Sequence, residues 1–260
     1  MAWYFTILGL RGMPPGPGTM GLEFGGFLAA WTLMMAAMML PALTPLTTVY
    51  LRSIQATRSA SVRAGRTIAL VLGYLVSWAL FGAGAFVAAL LASQLAMSAP
   101  EVASWVGAGI VAAAGAYQLT PLKDYCLRQC RSPIAFLLHT SSYRGPLRDV
   151  RVGIYHGMYC IGCCWGLMVV LTAVGLSNLA WMAVIAATVL LEKTWSHGRT
   201  LSRIVGAALI VFSFFVPENP ALLPGLHESS QMQVSAFILT GYPEAGKAGP
   251  QSLAGTNTER

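Results

Sequence analysis

Between residues 156 and 164 the chain reads HGMYCIGCC, one imidazole and three thiols within a run that is otherwise apolar. On a helix turning about 100° per residue, His156, Cys160 and Cys163 fall within a sector of about 60°, with Cys164 at its edge. Successive turns therefore offer a nitrogen and two sulfurs to one point, a donor set suited to a soft metal ion. A second pair, Cys126 and Cys130 in PLKDYCLRQCRSP, stands one helical turn apart beside Lys123, Arg128 and Arg131. Cationic neighbours favour the thiolate, the form that binds metal or attacks disulfides. A third soft set is WTLMMAAMMLPALTP, where Met34 and Met38 are a turn apart and Pro41 frees the carbonyl of Ala37. Thioethers and thiolates both suit copper(I), with zinc the other candidate for the thiol and imidazole groups.

The elements that must position these groups are set by composition. Of the 260 residues 56% are hydrophobic and 10% charged, and the mean hydropathy is +0.64. A soluble domain carries about 25% charged residues. The composition therefore predicts an all-α, polytopic transmembrane bundle, with spans near 27–50, 67–95, 102–119, 152–175, 178–192 and 200–217. Of the 16 Lys and Arg, 13 fall in three loops on one side: Arg52 to Arg66, Lys123 to Arg151, and Lys193 to Arg203. The positive-inside rule makes those loops cytoplasmic and puts both termini on the extracytoplasmic side of the membrane. The net charge of +7 is explained by topology and not by nucleic acid.

Three regions follow: an N-terminal segment 1–26, a helical domain 27–217, and a Pro- and Gly-rich tail 218–260 expected to be largely disordered. MAWYFTILGL lacks the basic start and small-residue cleavage site of a signal peptide. SPIAFLLHT, within the connection 120–150, is too short to span and is expected to lie at the interface or dip in. Cys160 is placed about 13 Å into its span, close to the midplane. Gly153 and Gly157 flank the Cys stripe while Gly162 and Gly166 lie opposite, so this helix should have neighbours on two sides. Glu192, at the inner end of its span before Lys193, reads as a ligand or as an interfacial charge, the second being favoured.

WTLMMAAMMLPALTP, AYQLTPLKDYCLRQCRSP, GIYHGMYCIGCCWGLM and LLEKTWSHGRTLSRIVG occur in that order over residues 25 to 212. As a set they resemble a bacterial family of predicted metal-binding integral membrane proteins, a domain of unknown function. The resemblance implies a metal role for Met34, Met38, Cys126, Cys130, His156, Cys160, Cys163 and Cys164. Where members of that family carry a fuller first membrane segment and a Met-rich outer loop, this chain has MAWYFTILGLRGMPPGPGTM.

The leading expectation is a non-enzymatic membrane protein that binds copper(I) and passes it across the bilayer or to a membrane metalloenzyme or metallochaperone. In that expectation His156, Cys160 and Cys163 converge on one point facing another helix, with Met34 and Met38 the likeliest opposing donors, and Cys126 and Cys130 form a separate entry or transfer point. A thiol redox protein ranks lower, because vicinal and one-turn cysteines on one helix fit disulfide geometry poorly. An accessory subunit of a membrane complex is the third possibility. The chain has no phosphate loop, zinc-protease motif or nucleophile elbow.

Overall fold

Prolines set where three of the helices begin. In the computed structural model, which describes residues 22–55, 59–174 and 179–218, the chain forms α1 (Phe24–Ile54), α2 (Ala60–Ser98), α3 (Pro100–Gln118), α4 (Pro121–Arg131), α5 (Pro133–His139), α6 (Arg148–Val174), α7 (Leu179–Thr194) and α8 (Gly198–Phe215). The described residues contain no strand. Helices α3, α4 and α5 each start on a proline, whose missing N–H is lost without cost in a first turn. Pro121 also forces Thr120 into extended backbone, and the Thr120 side chain caps α4 by accepting from the Lys123 amide at 3.3 Å. Consequently α4 leaves α3 at a bend of 62° and turns back toward the bundle.

Four helices, α1, α2, α6 and α8, are long and apolar enough to cross a membrane, and the bent α3–α4 pair makes a fifth if taken as one span. The six expected spans differ from this count at α7, which with its 16 residues is shorter than an ordinary crossing. The exposed surface of α2 carries Ile68, Leu72, Val76, Leu80, Val87 and Leu91. An apolar stripe of that length is far larger than water-facing helices tolerate and matches a lipid-facing one. Of the expected N-terminal segment 1–26 and tail 218–260, residues 1–21 and 219–260 lie outside the described residues, and α1 begins at Phe24, inside the expected N-terminal segment.

Helix α6 is the centre of the bundle. It packs most extensively on α2, and also on α3, α4 and α7. Its glycines explain how. A Cβ at Gly153 would lie 2.0 Å from the Leu70 carbonyl oxygen, so α2 and α6 meet backbone on backbone. On the opposite face a Cβ at Gly162 would lie 2.7 Å from the Cys126 sulfur, and one at Gly166 would lie 3.6 Å from Ala114. The two glycine pairs thus receive α2 on one side and α4 with α3 on the other, as the sequence spacing predicts. At the start of α6, Asp149 accepts from Arg66 at 2.8 and 3.0 Å and from the Tyr50 hydroxyl at 2.5 Å, tying α1, α2 and α6 together.

Candidate metal centre

Helical geometry alone brings the α6 thiols together. The sulfurs of Cys160, Cys163 and Cys164 all lie within 4.8 Å of one another, and all three side chains are buried. The Cys163 and Cys164 thiols donate to the Cys160 carbonyl at 3.1 and 2.8 Å, the back-bonding available to a small donor one turn along a helix. Their sulfurs therefore lean toward Cys160 instead of spreading around the helix.

Other helices complete the surroundings. Cys130, on α4, has its sulfur 3.8 Å from that of Cys163. The Tyr74 hydroxyl of α2 is 3.0 Å from the Cys160 sulfur, and the Lys193 ammonium of α7 donates to the same sulfur at 2.9 Å. An ammonium at that distance is the contact a thiolate accepts as a charge-assisted hydrogen bond. Four sulfurs, a phenol and a cation thus meet where α2, α4, α6 and α7 converge.

Cys126 and Cys130, expected as a separate pair at the cytoplasmic end of α3, stand beside the α6 thiols. The bend at Thr120–Pro121 is the physical reason, since it folds α4 across α6 where a straight continuation of α3 would carry both cysteines away. Cys126 faces the bare backbone of Gly162, and Tyr117 donates a hydrogen bond to the Gly162 carbonyl. Gly162 is therefore the notch that lets α4 approach.

His156 is buried between the rings of Phe136, 4.9 Å away edge-on, and Tyr74, 6.1 Å away. Its ring nitrogens fall outside the close group of three sulfurs, and Nδ1 has no hydrogen-bond partner among the described residues. It lies one turn from Cys160 on the same face, a donor next to the cluster and not inside it. Phe136 comes from α5, so SPIAFLLHT contributes this side chain to the buried core. Met34 and Met38 are buried in the same apolar core, with Phe27, Trp31, Met35 and Met39 around them. Helix α1 packs chiefly on α2, α5 and α7, and meets α6 through the Tyr50–Asp149 hydrogen bond.

Three side chains have partners that sequence reasoning did not assign to them. Tyr74 carries no motif. Lys193 reads as a loop cation, yet it reaches Cys160. Lys123 reads as a loop cation too, but it is 0% exposed and donates to Glu192 at 2.8 Å, with Glu192 1% exposed. Glu192 is therefore a buried ion-pair member and not an interfacial charge, and its other oxygen, Oε1, has no hydrogen-bond partner among the described residues. A signal for Lys123 does exist in the sequence: at helical spacing it shares a face with Cys126 and Cys130, so it must point inward with them.

A polar cleft of about 450 Å³ opens beside this region, lined by Asp124, Arg128, Arg131, Ser132, Ser196 and Arg199. Arg131 closes part of its wall by donating to the carbonyls of Trp195 and Ser196 at 2.7 and 3.2 Å. Cys160 lies about 17 Å along α6 from Asp149, at about 1.5 Å per residue. The basic side of the bundle is thus stepped: charged groups stand both at the start of α6 and at the depth of the thiols.

The donor set fits a soft monovalent ion. Closely spaced thiols at a shared point satisfy copper(I), and a fourth sulfur from Cys130 also makes a set that zinc accepts. No curated protein and no solved structure matches the chain. Over residues 28–216, which include every side chain of this cluster, the sequence matches the PpoB2 family model, described as copper chaperone, and the chain belongs to that family.

Proposed function

We propose that the protein is a multi-pass bacterial inner-membrane copper(I) carrier that holds the ion on sulfur within the bundle and delivers it to a membrane metalloenzyme or a metallochaperone. The observation that carries this reading is the group of three buried sulfurs within 4.8 Å on α6, with Cys130 at its side. Copper is cargo here, not a cofactor, and the chain performs no bond-making chemistry on it. Cys130, the least buried of the five cysteines, receives the ion by ligand exchange, and Cys163, Cys160 and Cys164 take it inward. Each thiol gives up its proton as it binds. Lys193 balances the excess negative charge of several thiolates around one monovalent ion, and Tyr74 holds Cys160 in place. His156 lies next along the face and receives the ion or passes it on. Met34 and Met38 serve as auxiliary thioethers in the same core.

In this reading the bundle crosses the membrane six times, with α7 as a short span and both termini outside. Cysteine labelling or reporter fusions at 52–66 and 193–200 should report both loops as cytoplasmic, and an external signal from either would overturn the topology. For the metal, detergent-purified protein from copper-supplemented and zinc-supplemented cells should carry near-stoichiometric copper and little zinc. A Cys160→Ser, Cys163→Ser double variant should carry neither. Copper retained at the wild-type level by that variant would end the proposal.

A further inference from the structure

The five cysteines are not equivalent in what they can bond to. Cys160, Cys163 and Cys164 sit on successive turns of one regular helix, where backbone geometry holds the Cβ atoms in orientations unsuited to a disulfide. Cys126 faces the Gly162 backbone. Cys130 is different: it lies on a separate helix, its sulfur is 3.8 Å from that of Cys163, and its other thiol neighbour, Cys160, is already held by Tyr74 and Lys193. Closing that gap to the bonded distance of about 2.05 Å requires a shift of under about 2 Å, within the reach of side-chain rotation. Cys130 is also half-buried where the other four are buried, and it stands near the arginine-rich end of α4.

We propose that Cys130 and Cys163 form a reversible disulfide between α4 and α6 that closes the thiol cluster to copper. The oxidant is a disulfide of a low-molecular-weight thiol. The Cys130 thiolate attacks one of its sulfurs, the external S–S bond breaks, and one thiolate leaves with the electron pair. The Cys163 thiolate then attacks the Cys130 sulfur of the mixed disulfide and displaces the second external thiolate. The two protons of Cys130 and Cys163 end on the two leaving thiolates, so the protein loses two electrons and the external disulfide gains them. Dithiols reverse both steps.

The consequence rests on the copper reading of the same cluster. Oxidation takes Cys163 out of the close group of three and removes the less buried entry sulfur, Cys130. It also ties α4 to α6 across the Gly162 notch. A bound ion, in turn, occupies both sulfurs and blocks the exchange, so metal loading and oxidation exclude one another.

The experiment uses the full chain in detergent, stripped of metal, reduced, and then treated with oxidised glutathione. Peptide mapping by mass spectrometry should find one linked pair, Cys130–Cys163, that dithiothreitol removes. The link should persist in Cys126→Ser, be absent in Cys130→Ser, and fail to form when copper(I) is loaded first. A link between other cysteines, or thiol loss with Cys130 still free, or no link at all, would overturn the proposal. Equally fatal would be oxidised protein that binds copper as the reduced protein does. Because the linking step uses metal-free protein, a link that forms in a chain unable to bind copper when reduced would instead refute the copper reading.

Discussion

The two sulfur-rich stretches of this chain look alike in sequence and differ in what surrounds them. On α6 the thiols meet polar partners brought by three other helices: a phenol, an ammonium and a fourth sulfur. On α1 the thioethers of Met34, Met35, Met38 and Met39 belong, with Phe27, Trp31 and Leu43, to the same buried cluster that holds the α6 thiols. Both sets are fully buried, so burial does not separate them. What separates them is that a polarisable but neutral thioether is satisfied by hydrocarbon, whereas a thiol at a metal site needs charge and hydrogen bonds arranged around it. A soft residue at helical spacing is thus weak evidence of a site until its neighbours are known.

Substitutions can break or sharpen that contrast. The largest effect is expected from Cys160→Ser with Cys163→Ser, which should take copper content from near-stoichiometric to background while Met34→Leu with Met38→Leu leaves it near wild type. Equal loss in the two variants would make the methionines obligate donors and erase the distinction drawn between α1 and α6.

Next in size is the buried pair beneath the cluster. Removing one member of a buried ion pair costs about 3–5 kcal/mol, because the other is left charged without a partner, while replacing both with apolar residues is often near neutral. Glu192→Ala should therefore lower thermal stability in detergent sharply, and Lys123→Met with Glu192→Leu should restore most of it. If the double variant is as unstable as the single one, the pair is needed for more than charge balance.

Smaller still is Tyr74→Phe, which deletes the hydroxyl beside Cys160 and leaves the ring. Loss of a group that orients a ligand lowers metal affinity by about 10–100-fold. Competition against a copper(I) chelator should show that drop with little change in unfolding temperature. An unchanged affinity would mean that the hydroxyl merely fills space. The smallest effect belongs to the methionine pair itself, whose volume-conserving Leu swaps should cost less than about 1.5 kcal/mol of stability.

Particular residues show how far the sequence alone reached. Residue type and spacing were enough for the all-helical make-up of the described residues, for the central helix with neighbours on both glycine faces, and for the shared stripe of Cys160 and Cys163, because each depends only on local periodicity. The family was legible in the order of its motifs. The position of Cys130 against Cys163 was not, since it turns on the 62° angle at which α4 leaves α3. Nor was the inward turn of Lys193, nor Glu192 as the partner of Lys123, because a cation's partner can come from any helix that packs beside it. Tyr74 and Cys160 lie far apart in the chain and touch only because Gly153 lets two backbones meet. The sequence by itself determined which side chains lie on one face of each helix, a property of a few consecutive residues. Only the tertiary structure decided which faces meet, because that depends on bends, notches and helix contacts to which no single segment holds the key.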